Sequence, residues 1–147
     1  MQSIVTTAVA RRLIGFAAAL ACAGISVGAS AASIEVKVQG VTGGKGKVLV
    51  AVCDKATFLK DCKYSASAPA LQGETTVTVR DVPAGTWAVL SYQDANDNGK
   101  LDRNVLGIPK ENYGFSRDAR GRFGPPSFED AAFVLQEEQI VSTVVLR

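Results

Sequence analysis

The chain contains no histidine. That absence removes Ser-His-Asp and Cys-His catalysis, histidine-ligated zinc and a histidine pH switch together. Carboxylate chemistry and oxygen-ligand metals stay open. Cysteine is scarce, at 3 residues, and the spacing from Cys53 to Cys62 is not that of a C-x-x-C redox or zinc motif. Long periodic helices are missing too: no segment of about ten or more residues sustains a helical apolar repeat. Charged residues make up 20% and apolar residues 47%, a globular profile rather than a disordered one. A length of 147 residues suits one domain.

Charge is nearly absent from the N-terminus. Arg11 and Arg12 are the only charged residues before Glu35. An apolar run from Leu13 to Ala23 follows them, and then a small-residue stretch ending Ala29-Ser30-Ala31. A positive start, a short apolar run and an A-x-A site form the layout of a secretory signal peptide. Cleavage is expected between Ala31 and Ala32, leaving one domain over residues 32–147. Three alternatives stand beside it. Leu13–Ala32 approaches the roughly 20 residues of a membrane span, although Ser and Gly dilute its second half. Cys22 is a candidate lipid site, with Ala19 where lipoboxes usually carry Leu. Arg11-Arg12 also reads as a twin-arginine pair.

Losing two arginines leaves 14 basic residues against 14 acidic ones. The expected mature chain is therefore near neutral, which gives no argument for a nucleic-acid partner or an anionic membrane. No stable membrane span is expected after cleavage. The expected compartment is the periplasm or the exterior. There Cys53 and Cys62 are expected to form a disulfide, with two free thiols as the alternative. Closing a loop of about ten residues is worth roughly 2.5–3 kcal/mol in the chain-entropy account.

Alternation sets the strands. Ile34, Val36 and Val38 alternate with Glu35, Lys37 and Gln39, a half-buried strand. A glycine-rich turn at 43–46 leads to a second strand at Lys47–Cys53, so these two are expected to form a hairpin. Ala56–Lys60 suggests one helical turn, and Lys63–Ala68 a short strand. Thr75–Val79 is a β-branched strand, and Asp81–Gly85 is expected to turn. Thr86–Gln93 is apolar on both faces and is placed centrally. Ala131–Leu135 and Ile140–Leu146 complete about seven strands. The expected fold is all-β, an antiparallel β-sandwich of immunoglobulin-like or prealbumin-like type with one long ordered loop.

The sharpest local signal is Asp94-Ala95-Asn96-Asp97-Asn98-Gly99-Lys100-Leu101-Asp102. It matches D-x-[DN]-x-[DN]-G, the opening of an EF-hand-type calcium loop. Calcium takes 6–8 oxygens, and alternate side chains converge as such a chain curls. Asp94, Asn96, Asn98 and Asp102 would offer side-chain oxygens, and Lys100 its carbonyl. Position twelve is Val105 rather than a bidentate Glu, and a strand precedes the loop. Only two of the proposed ligands are charged, so affinity is expected in the roughly 10⁻⁴–10⁻³ M class. Glu111, Asp118, Glu129 and Asp130 are candidates to complete the shell. The same residue types also serve any tight turn.

Arg103–Glu129 is expected to be a long insertion with little regular structure. Tyr113, Phe115, Phe123 and Phe128 are expected to anchor it. Arg117, Arg120 and Arg122 with Tyr113 and Phe123 suit a sugar-like or anionic envelope ligand. They equally suit a self-paired loop. Asp118, Glu129 and Asp130 leave a glycan hydrolase open as the alternative to a binding module.

Asp81–Val89, Asp94–Asp102 with Leu106-Gly107-Ile108-Pro109, Gly114-Phe115-Ser116 and Ala119–Phe133 together resemble the bacterial domain-of-unknown-function family 2141. The resemblance covers nearly all of Ile34–Leu146. It implies an exported protein with one β-rich domain, a fold and a compartment rather than a reaction. The Val82-Pro83-Ala84-Gly85-Thr86-Trp87 turn is also similar to the Leu-Pro-x-Gly-x-Tyr turn of prealbumin-like surface domains. The reading leans away from an enzyme, toward a calcium-stabilised binding or structural module.

Overall fold

The computed structural model describes residues 31–136 and 139–147. The expected signal peptide lies outside the described residues except for Ala31, as do Cys22 and the Arg11-Arg12 pair. The strands are β1 (Ala31–Val41), β2 (Lys47–Cys53), β3 (Tyr64–Pro69), β4 (Gly73–Pro83), β5 (Gly85–Asp94), β6 (Tyr113–Phe115), β7 (Phe133–Leu135) and β8 (Gln139–Val145). A one-turn helix, α1 (Phe128–Ala131), precedes β7. One sheet runs β4-β1-β8; the other runs β3-β2-β5-β6, with β7 also on β5. The two pack as a β-sandwich. Its pairings are antiparallel except β1 with β8, which is parallel. Among the described residues no helix is long and apolar enough to cross a membrane.

Period-two patterning explains the core. Ile34, Val36 and Val38 of β1 are fully buried, and so are Val48, Val50 and Val52 of β2. Both rows belong to one core cluster with Val79, Val82, Val89 and Val144. Each such side chain contributes roughly 1.5–3 kcal/mol when buried.

The expected β1–β2 hairpin is not formed. The two strands lie in different sheets, and β1 pairs with β4 and β8 instead. Alternation says which face is buried, not which strand is the neighbour. Residues 42–46 carry the chain across the sandwich. Gly46 ends that crossing at φ +71°, where a Cβ would overlap the Asp94 carbonyl oxygen. The expected turn at Asp81–Gly85 is largely strand. β4 runs on to Pro83, pairing Val82 with Ala32, while Asp81 takes up a kink at φ 60°. Ala131 closes α1 rather than opening a strand. Ser127 caps that helix, accepting from the Asp130 amide while Asp130 reaches back to the cap amide.

β5 is central, between β2 and β6, and its sheet is covered on both faces. On the outer face Cys53, Phe58, Ala88, Phe115 and Ala131 make a second cluster. The Cys53–Cys62 disulfide (S–S 2.00 Å) closes the loop that supplies Phe58. Phe58 packs edge-on against Phe128, with ring centroids 5.6 Å apart.

The insertion is not one irregular loop. β6 divides it, pairing Tyr113 with Tyr92 and Phe115 with Leu90. Buried Ser116 follows. Its Oγ accepts from the Val89 amide at 2.9 Å and donates to the Ala131 carbonyl at 2.6 Å. Phe115 and Phe128 anchor as expected, whereas Phe123 is fully exposed and anchors nothing.

Candidate functional site

The end of β5 positions everything that follows. Gln93 is buried, and its amide clamps the inter-sheet crossing. Oε1 accepts from the Thr42 amide at 2.9 Å, while Nε2 donates to the carbonyls of Thr42 at 2.9 Å and Lys45 at 3.2 Å. Asp94 comes next and is also fully buried. A buried carboxylate needs donors. Asp94 receives the Asn98 amide at 3.0 Å and the Gly99 amide at 2.6 Å. Gly99 sits at φ +76° and Asp97 at φ 59°, which curls the chain back onto Asp94.

The loop then closes on itself. Asn96 and Asn98 donate their Nδ2 groups to Asp102 at 2.7 and 2.9 Å. These two hydrogen bonds, Asn98 first, hold the Asp102 carboxyl below its usual pKa. The Asn98 Oδ1 accepts from the Lys100 amide at 2.8 Å. Glu111 reaches over from just before β6, accepting from the amides of Ala95 and Asp102, both at 3.0 Å. Lys47 pairs with Asp97 at 2.8 Å, and that contact lifts the Lys47 ammonium above its usual pKa. Tyr92 donates to the Gly99 carbonyl at 3.2 Å; burial, then the charges of Asp94 and Glu111, push its phenol up.

Thus Asp94, Asn96, Asn98 and Asp102 gather in one loop, and Glu111 is the further carboxylate that arrives. Lys100 engages through its amide. Asp118, Glu129 and Asp130 lie elsewhere, paired with Arg120 and Arg147, with Lys55, and with Ser127 respectively. Among the described residues, no group of three or more Asp, Glu or Cys side chains is arranged to hold a metal.

The arginines divide. Arg117, at φ 60°, donates to the Ala132 carbonyl at 2.9 Å. Arg120 pairs with Asp118 at 2.9 Å, and Arg147 joins the same carboxylate. Asp118 is held at about 2, by the Arg147 hydrogen bond first and then Arg120. Glu129 is lowered by its hydrogen bond from Lys55. A general acid needs the opposite shift, so neither carboxyl is tuned as the proton donor of glycoside cleavage.

Arg122 and Phe123 go elsewhere. They face Leu106 and Ile108 across a groove of about 530 Å³ between residues 101–109 and 121–125. Tyr113, Leu90 and Phe115 of the outer sheet face floor it, and Leu59 of the disulfide loop closes one side. Of the eight large apolar residues that are exposed among the described residues, Leu59, Leu106, Ile108 and Phe123 all line this groove, which makes it a patch rather than scatter. Leu59, Arg103, Leu106 and Ile108 are not among the ligand-binding residues that the sequence suggests. The usable signal was the apolar run Val105-Leu106-Gly107-Ile108 inside an otherwise polar loop.

Comparisons with curated proteins and with solved structures give no match. A bacterial family described as "Uncharacterized protein conserved in bacteria (DUF2141)" matches residues 36–142, from within β1 to within β8, so it spans both the acidic loop and the groove. The chain belongs to the DUF2141 family.

Proposed function

We propose that this chain is an exported, non-catalytic binding module of the cell envelope, in which a calcium ion ties the end of β5 to the insertion that follows. The carrying observation is the gathering of Asp94, Asn96, Asn98 and Asp102 in one curled loop with Glu111 beside it. Turning the Asn96 and Asn98 amides over would present oxygen rather than nitrogen toward Asp102, the donor set a hard cation requires. The signal-peptide layout and the Cys53–Cys62 disulfide support export. Asp118 and Glu129 are both held ionised in ion pairs, so neither offers the protonated carboxyl that glycan hydrolysis needs as its general acid, which supports the binding reading.

Calcium titration of the mature chain tests this reading by calorimetry and thermal melting. Binding is expected in the millimolar range. Stabilisation of about 1.4 kcal/mol is expected when calcium stands tenfold above Kd. An unchanged melting temperature and no heat at millimolar calcium would reduce the loop to a turn.

A further inference from the structure

The groove beside the acidic loop has a composition that specifies a ligand class. Its lining contains two arginines, Arg103 and Arg122, and no carboxylate. Arg122 has no ion-pair partner among the described residues, in contrast to Arg120 and Arg147. Arg103 donates one N–H to the Gly107 carbonyl at 3.0 Å, which leaves further guanidinium donors facing outward. The same lining carries Phe123 at 103% relative exposure, Leu106 at 79% and Ile108 at 56%. Apolar side chains this exposed, beside uncompensated positive charge, complement a molecule that is apolar at one end and anionic at the other. The volume of about 530 Å³ falls within the range for one small ligand.

We propose that this groove binds a single-chain alkyl carboxylate. Its tail lies against Leu106, Ile108 and Phe123, and its carboxylate meets the Arg122 guanidinium with Arg103 behind it. The proposal deepens the binding-module reading and rests on it. It does not rest on the calcium loop, whose carboxylates lie outside the groove lining.

The test is calorimetric titration of the mature protein with hexanoate, octanoate and decanoate, each below its micelle-forming concentration. Affinity should rise about fourfold per added methylene as tail burial grows. Arg122→Gln should weaken decanoate binding roughly fivefold, and added salt should do the same in part. Phe123→Ser should weaken it roughly tenfold. Both positions are exposed, and an unchanged melting temperature for each variant separates a groove effect from misfolding. Decanol binding as tightly as decanoate would overturn the proposal, because the arginines would then select nothing. Binding only to anionic lipid vesicles would overturn it in favour of a membrane surface. No heat from decanoate in a sample that still responds to calcium would overturn the groove and leave the calcium reading standing.

Discussion

The loop at the end of β5 and the insertion that follows it treat their functional groups in opposite ways. From Asp94 to Asp102, with Glu111, each carboxylate and amide named above is bonded to the chain itself. From Leu106 to Ile108 and from Gly121 to Pro125, the chain exposes leucine, isoleucine, phenylalanine and an arginine with no ion-pair partner among the described residues. The first stretch is polar and bonded to itself, with Asp94 fully buried and residues 95–100 exposed. The second is apolar and exposed, the reverse of what solvation alone favours. The difference separates a loop that holds itself in shape from the groove proposed to bind an alkyl carboxylate.

Substitutions should break the two stretches differently. Asp94→Ala should be the most damaging, at about 3 kcal/mol, because it empties a fully buried site and takes the shared acceptor from the Asn98 and Gly99 amides that curl the loop. Thermal melting should fall by roughly 10 °C, and calcium stabilisation should vanish with it. Removing the disulfide with Cys53→Ser and Cys62→Ser should cost about 2–3 kcal/mol, given its sequence separation of 9. It should also loosen Leu59 at the groove wall, so decanoate binding should weaken even where the fold survives.

Acid sharpens the comparison further. Folding lowers Asp118 from 3.8 to about 2, chiefly through Arg147 and then Arg120. A lowered carboxylate contributes stability that is fully present above its unfolded pKa and is lost as pH falls from about 4 toward about 2. Asp54 behaves alike, also held at about 2, by Thr57 first and then Lys63. Asp118→Asn should therefore lower the melting temperature at neutral pH while flattening its decline between those limits. An unchanged slope would contradict the pairing. The smallest effect is expected from Arg122→Gln and Phe123→Ser, each within about 0.5 kcal/mol of the parent protein by chemical denaturation. A large loss from either would mean that the groove face supports the fold.

Period two made β1 legible, an apolar run after a glycine-rich turn β2 and a β-branched run β4, and apolar residues on both faces of Thr86–Gln93 placed β5 centrally. Partnership was not legible. A glycine-rich link between two amphipathic strands serves a hairpin and an inter-sheet crossing equally well, and the pairing of β1 with β4 and β8, and of β2 with β3 and β5, makes it a crossing. The helix at Phe128–Ala131 was readable from Ser127 and Asp130 three positions on, a capping-box spacing overlooked beside the β-like Ala131–Leu135 run. The acidic loop stood out because its residues are contiguous, so local spacing alone brings them together. The groove did not, because Leu59, Leu106, Arg122 and Phe123 come from three separate segments. Arg117 and Arg120 resemble Arg122 as letters. Their carbonyl and carboxylate partners distinguish them, and those partners depend on the fold.

The division between the two stretches can be read residue by residue from backbone amide NMR of the mature protein, titrated separately with calcium chloride and with decanoate. Calcium should move the amides of residues 95–102, and decanoate those of Leu106, Ile108, Arg122 and Phe123, each leaving the outer face of the β4-β1-β8 sheet unmoved. Decanoate shifts confined to that outer face, or a decanoate titration that moves no amide near Phe123, would contradict the account.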